Sequence, residues 1–293
     1  MKKFACYFGC LIQTEQYAIE MAVREVLPIL GIEAVYPEDF SCCGEPVKSI
    51  NQLITLYLSA RNMAVCEKNG IEHLFVPCSD CHLALSESKR ILNGNAELME
   101  RISNALANEN LKYNGTVAIY HTLDLLHDHI GTETIKSLVK NPFNNIPVAV
   151  QYGCKTIRPT EVGRPDDSEN PQKMENILRA IGANPLPYAE KLDCCGASLL
   201  ANLPETSLTK TGQKLKAIAE QGFAAMVDVC PWCHKMYDSK QSKALETVAA
   251  KDAVPVLNLM QMLGLALGID REKLGLNLNS SPANTIGVEA AAQ

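Results

Sequence analysis

Ser41-Cys42-Cys43-Gly44-Glu45 is followed by Cys78-Ser79-Asp80-Cys81-His82, with 33 residues between Gly44 and Cys78. The second half repeats this stretch: Asp193-Cys194-Cys195-Gly196-Ala197 is followed at the same interval by Cys230-Pro231-Trp232-Cys233-His234. Cys42, Cys43, Cys78 and Cys81 thus recur 152 positions later. Upstream, Tyr7-Phe8-Gly9-Cys10 is answered by Gln151-Tyr152-Gly153-Cys154 at an offset of 144, so the second half carries eight extra residues between its first cysteine and its Cys-Cys-Gly. Self-similarity at a fixed offset marks a duplicated structural unit. Of the 12 cysteines, two stand outside the pattern: Cys6 maps to Val150 and Cys66 to Ile218, both apolar, which identifies these two as packing residues.

The segments around these motifs alternate in type. Lys3–Tyr7 and Pro147–Tyr152 read as strands delivering Cys10 and Cys154. Glu15–Leu30 and Pro171–Ile181 have the apolar spacing of amphipathic helices, ended by Gly31 and Gly182. Ile32–Tyr36 reads as a further strand. Helices follow over Ile50–Lys68 and Thr209–Gln221, then strands over His73–Pro77 and Ala224–Val229 that lead into the Cys-x-x-Cys pairs. A last strand and helix close each half, at Thr116–Tyr120 with His121–Ile130 and Val254–Leu257 with Asn258–Ile269, and Asn95–Asn108 adds a helix in the first half only. Alternating strands and helices predict an α/β fold of two tandem, pseudo-symmetric Rossmann-like domains with largely parallel sheets. The cysteines gather beyond the carboxyl ends of the strands, where such sheets bind ligands. The expected divisions are residues 1–144, 145–277 and a C-terminal tail, 278–293.

A net charge of −6 over 293 residues argues against a nucleic-acid partner, which requires a basic face. No apolar run approaches the ~20 residues of a membrane span, and no signal-peptide core is visible. A cytoplasmic location is therefore expected, where thiols stay reduced and clustered cysteines point to metal or redox chemistry. Four chemistries compete. A closed zinc site takes four ligands and leaves one of the five thiols per half unused. Haem attachment at Cys-x-x-Cys-His gives the Cys-Cys-Gly no role, and a redox dithiol needs only two thiols. Iron–sulfur clusters take thiolates naturally, and five per half suggests an unusual cluster or a bridging thiolate. For adjacent cysteines to face one centre the backbone must turn, which Gly44 and Gly196 permit.

The pattern Cys-x31–39-Cys-Cys-Gly-x33-Cys-x-x-Cys, present twice from Lys3 to about Ile269, resembles the paired cysteine-rich domain called the CCG domain. Two complete halves with no fused ferredoxin motif resemble, within it, the B-subunit family of methanogen heterodisulfide reductases. That resemblance implies two noncubane 4Fe–4S clusters, one on Cys10, Cys42, Cys43, Cys78 and Cys81, the other on Cys154, Cys194, Cys195, Cys230 and Cys233. It implies a disulfide oxidoreductase of methanogenesis that reduces the coenzyme M–coenzyme B disulfide to two thiols. Its partners would be a small ferredoxin-like 4Fe–4S subunit and a flavin-containing subunit, with a hydrogenase as a further candidate. The wider family also implies an alternative, an electron-transfer subunit of a succinate, glycolate, lactate or thiol-fumarate oxidoreductase.

No flavin or nucleotide fingerprint occurs in the chain, so electrons must come from a partner. Two one-electron centres facing one disulfide would give each sulfur an electron and an iron. An anionic substrate calls for cations, and Lys155, Arg158 and Arg164, in the segment after Cys154, are the candidates. His82 and His234, each beside a ligand pair, are candidate proton donors or partners of cluster sulfur and backbone. Trp232 is expected to shield the second centre.

Overall fold

The computed structural model describes residues 2–287. Two four-stranded, all-parallel sheets organise it. The first contains β1 (Lys2–Cys6), β2 (Ile32–Val35), β3 (His73–Val76) and β4 (Ala118–His121) in the order β2-β1-β3-β4. The second contains β5 (Pro147–Gln151), β6 (Asn184–Pro185), β7 (Ala225–Asp228) and β8 (Val256–Asn258) in the matching order β6-β5-β7-β8. The central strands are buried on consecutive residues: Phe4, Ala5 and Cys6 in β1, and all four residues of β7. Burial of both faces is what helices on the two sides of a parallel sheet produce.

The strand order decides where a site forms. Chain direction across the sheet reverses between β1 and β3, and again between β5 and β7, leaving a crevice at the carboxyl ends of those strands. The loops after β1 and β3 carry Cys10 and the first Cys-x-x-Cys pair; those after β5 and β7 carry Cys154 and the second.

The expected elements are present with shifted ends. The helix expected over Glu15–Leu30 is Tyr17–Ile29, and a short helix not expected from the sequence, Gly9–Thr14, precedes it, so Cys10 and Cys154 lie in short helices soon after their strands. The edge strand Asn184–Pro185 is too short to read from sequence. Helix Gln52–Lys68 begins at Asn51, whose Oδ1 accepts the Leu53 amide at 3.0 Å. Helix Leu259–Ala266 begins with a capping box of Asn258 and Gln261, is buried on every side, and packs on Tyr17–Ile29 of the first half. The segment after 277 docks on the second half: the amides of Ser280 and Ser281 donate to Asp238 at 3.0 and 2.8 Å. The remainder of the expected tail, 288–293, lies outside the described residues.

Candidate metal centre

Each Cys-x-x-Cys pair sits at a helix start. Cys78 and Cys230 precede the first helical residue in extended backbone, and their carbonyls accept the amides of His82 and His234 at 2.8 and 2.9 Å. Cys81 and Cys233, three positions on, return to the same face. Unpaired amides at a helix start favour a thiolate there. The loops after β1 and β5 cross these pairs so closely that a Cβ on Gly9 would lie 2.6 Å from Cys81 Sγ, and one on Gly153 would lie 3.1 Å from Cys230 Cβ.

The Cys-Cys-Gly turns are built identically. Gly44 and Gly196 are left-handed, with φ of 88° and 87°, and their amides point back at Cys42 Sγ and Cys194 Sγ at 3.5 and 3.4 Å. Hydroxyls from the following helix hold the turns. Thr55 Oγ1 donates to the Gly44 carbonyl at 2.9 Å and Ser59 Oγ to that of Cys43 at 2.8 Å. Their counterparts at the 152 offset, Ser207 and Thr211, donate to Gly196 and Cys195 at 2.8 and 2.7 Å. The next residue in this series differs. Asn62 Nδ2 donates to the carbonyls of Ser41 and Cys42 at 3.1 and 3.2 Å. Lys214 stands at the equivalent place, 2% exposed, and donates to Gln151 Oε1 and to the carbonyls of Glu190, Lys191 and Asp193. Burial brings its ammonium down to about 8. Sequence reasoning missed these supports, although the same offset that revealed the cysteines also relates Thr55 to Ser207 and Ser59 to Thr211.

The sulfurs of each half touch in series. In the first, all cysteines being free thiols, Cys42 is hydrogen-bonded to Cys43, Cys43 to Cys81 and Cys81 to Cys78, and Cys10 lies within electrostatic reach of Cys42. In the second, the series runs Cys154, Cys194, Cys195, Cys233, Cys230. Thiol hydrogen bonds from their neighbours pull Cys43 down to about 3 and Cys194 to about 2. The same bonds, with burial, hold Cys81 and Cys233 well above the usual thiol range. Five thiols in one pool, three of them buried in each half, ionise together only against a multivalent cation, so the donor set fits a metal centre. Among the described residues no three Cys, His, Asp or Glu side chains are grouped to hold a single metal ion. An extended series of thiols suits a many-atom cluster better than one zinc. The two sets adjoin: Ser79 Oγ, next to Cys78, lies 2.6 Å from Thr156 Oγ1, two residues after Cys154. Cys6 and Cys66 are 3% and 0% exposed in the apolar core, as expected of packing residues.

Cavities of about 420 Å³ and about 140 Å³ open beside the first and second sets, one at Cys10 and Cys42, the other at Cys154, Cys194 and Trp232. Lys155 is on the wall of the second, but its ammonium is taken by Glu45 and Asp80 of the first half. Arg158 is exposed and donates to the Ser168 carbonyl at 3.1 Å. Arg164 turns inward, its Nη2 donating to the Lys155 carbonyl and to His82 Nδ1, the latter at 3.1 Å. The three expected substrate cations therefore do not share one cavity. The two histidines are equivalent in sequence and shifted in opposite directions. Burial, with His121 and Arg164 nearby, holds His82 well below the usual imidazole range. Burial also disfavours charge on His234, but the Asp228 carboxylate, 2.8 Å from its Nδ1, outweighs it and raises the imidazole.

A family model for the cysteine-rich domain CCG matches residues 4–86 and 148–238. The chain is 34% identical, over 98% of its length and 99% of the relative's, to the 8-methylmenaquinol:fumarate reductase membrane anchor subunit of Wolinella succinogenes. It is 30% identical, over 96% of its length and 94% of the relative's, to the B subunit of the ferredoxin/F420H2-dependent CoB-CoM heterodisulfide reductase of Methanosarcina acetivorans. Among solved structures, a hypothetical protein from Helicobacter pylori shares the fold with a TM-score of 0.75 at 18% identity; the match covers 95% of this chain and 52% of that one, so the chain spans about half its length. No described helix is long and apolar enough to cross a membrane.

Proposed function

The chain belongs to the cysteine-rich CCG domain family, and from that membership we propose that it is the iron–sulfur subunit of a multi-subunit oxidoreductase that reduces a small-molecule disulfide to two thiols. The observation that carries the reading is that both five-cysteine sets are complete and adjoin where Ser79, beside Cys78, meets Thr156, beyond Cys154. Residues 1–144 and 145–277 would each hold one noncubane 4Fe–4S cluster. Bound clusters would supply single electrons and iron for a nascent thiolate.

The chain's own residues set the conditions. The hydroxyls of Thr55, Ser59, Ser207 and Thr211 keep the paired cysteines turned to one side. Trp232 and Ala197 line the second cavity beside Cys154 and Cys194. The relatives named as heterodisulfide reductases support the coenzyme B–coenzyme M disulfide as substrate. Partners are a small ferredoxin-like subunit and a flavin-containing subunit, which supply the electrons.

A second reading has its own support: the relative at 34% identity is a subunit of a quinol-linked fumarate reductase, which favours an electron relay. Paramagnetic resonance of anaerobically purified, oxidised protein with each thiol product added separates the two. Disulfide reduction predicts about eight irons per chain and a cluster signal that appears only with a thiol. Spectra indifferent to both thiols, with full iron, would reject it in favour of the relay.

A further inference from the structure

The duplication supplies an internal control for every residue beside the two sets. Lys155 answers Leu11 at the 144 offset, while Ala197 answers Glu45 and Trp232 answers Asp80 at the 152 offset. On one side of the junction, Lys155 Nζ reaches from the second half to Glu45 Oε1 and, at 3.5 Å, to Asp80 Oδ2 of the first. On the other side, helix Gly9–Thr14, which carries Leu11, packs on Pro231–His234, which carries Trp232. That second junction has an ion pair of its own, Lys235 Nζ to Glu15 Oε2 at 2.7 Å, but the places equivalent to Lys155, Glu45 and Asp80 hold Leu11, Ala197 and Trp232, so the charges beside the two cysteine sets are arranged differently.

All three charged residues are chain neighbours of the sets. Lys155 follows Cys154, Glu45 follows Cys-Cys-Gly, and Asp80 lies between Cys78 and Cys81. Their side chains are only 33%, 15% and 24% exposed, so solvent screens them weakly. Glu45 Oε2 is buried and has no hydrogen-bond partner. The cysteine chemistry does not require charge at these three places, because the duplicated half has Leu11, Ala197 and Trp232 there. Arg164, donating to the Lys155 carbonyl and to His82, fastens the same junction a second time.

We propose that Lys155 is a positioning residue that clamps the Cys154 loop to the first half's ligand helix and, through its charge against Glu45 and Asp80, makes two centres with equal ligands unequal in reduction potential. This rests on the reading that each set holds a cluster. Fixed charge beside a redox centre shifts its potential: a cation favours the reduced form and a carboxylate the oxidised form. A unit charge ~10 Å away, at an effective dielectric near ~20, changes the reduced-to-oxidised ratio on the order of tenfold.

The test is a redox titration of anaerobically purified protein, followed by paramagnetic resonance, with iron counted on the same samples. Lys155→Met should keep its iron and lower a midpoint by about 59 mV, the equivalent of tenfold for one electron. Lys155→Arg should restore it, and Glu45→Gln should shift a midpoint upward. Full iron with unmoved midpoints in Lys155→Met overturns the proposal. If that variant loses iron, Glu45→Gln decides, and no upward shift there overturns it equally. Wild-type protein lacking iron–sulfur clusters would overturn the cluster reading and this inference together.

Discussion

Replacing Gly44 by alanine isolates what its Cys-Cys-Gly turn requires. Gly44 is left-handed, φ 88°, and a Cβ there would lie 2.7 Å from Thr55 Cα, a backbone atom of helix Gln52–Lys68 that cannot swing aside. The left-handed conformation alone costs an alanine about 1–2 kcal/mol. Forcing the turn and helix apart adds about 1–3 kcal/mol, the usual cost of overpacking. The sum is roughly 2–5 kcal/mol. Gly70, in the same half, is the control: its φ is 65°, but nothing lies within 4 Å of a Cβ, so Gly70→Ala should cost only the about 1–2 kcal/mol of conformation. With roughly 2–4 °C per kcal/mol for a chain of this size, the thermal midpoint should fall by about 4–20 °C for Gly44→Ala and by about 2–8 °C for Gly70→Ala. Circular dichroism of anaerobic protein measures both, and iron analysis should show loss from Gly44→Ala alone. Equal midpoints with equal iron would mean that close approach to Thr55 is not why glycine stands there.

Three further predictions concern the supports. Cys6→Ala and Cys66→Ala should each cost about 1–2 kcal/mol from lost core packing and leave the iron count unchanged; loss of iron from either would put it among the ligands. Ser59→Ala and Thr211→Val each remove the hydroxyl donor to a buried cysteine carbonyl, at 2.8 and 2.7 Å. Each should cost about 1–3 kcal/mol in chemical denaturation, and by similar amounts in the two halves; a neutral result in one half would show that its turn is held otherwise. Lys214→Met strips an ammonium from Gln151 and three carbonyls. A loss of at least about 3 kcal/mol is expected, with iron lost from the second set first; a stability change below about 1 kcal/mol would refute the anchoring role.

What was legible in the sequence was local or repeated. The 152 offset identifies eight of the ten duplicated cysteines, the 144 offset adds Cys10 and Cys154, and the apolar counterparts of Cys6 and Cys66 set those two aside. Strand and helix periodicity sufficed for two parallel α/β halves, because burial of both sheet faces writes itself as short apolar runs. It failed at Asn184–Pro185, where two residues carry no period, and at Gly9–Thr14, where a short helix merges with the next.

The tertiary structure alone decided what each charge meets. His82 and His234 occupy the same place in the repeat, yet burial with His121 and Arg164 lowers His82, whose nearest carboxylate, Asp124, is 3.7 Å away, while Asp228 at 2.8 Å outweighs burial at His234. Lys155, a candidate for receiving an anionic substrate, pairs with Glu45 and Asp80, 110 and 75 positions earlier in the chain. Spacing along a chain records which residues share a strand, helix or turn, since those geometries repeat within a few residues. It does not record how one half docks on the other, and electrostatic energies, falling with distance through a partly dry junction, are set by that docking.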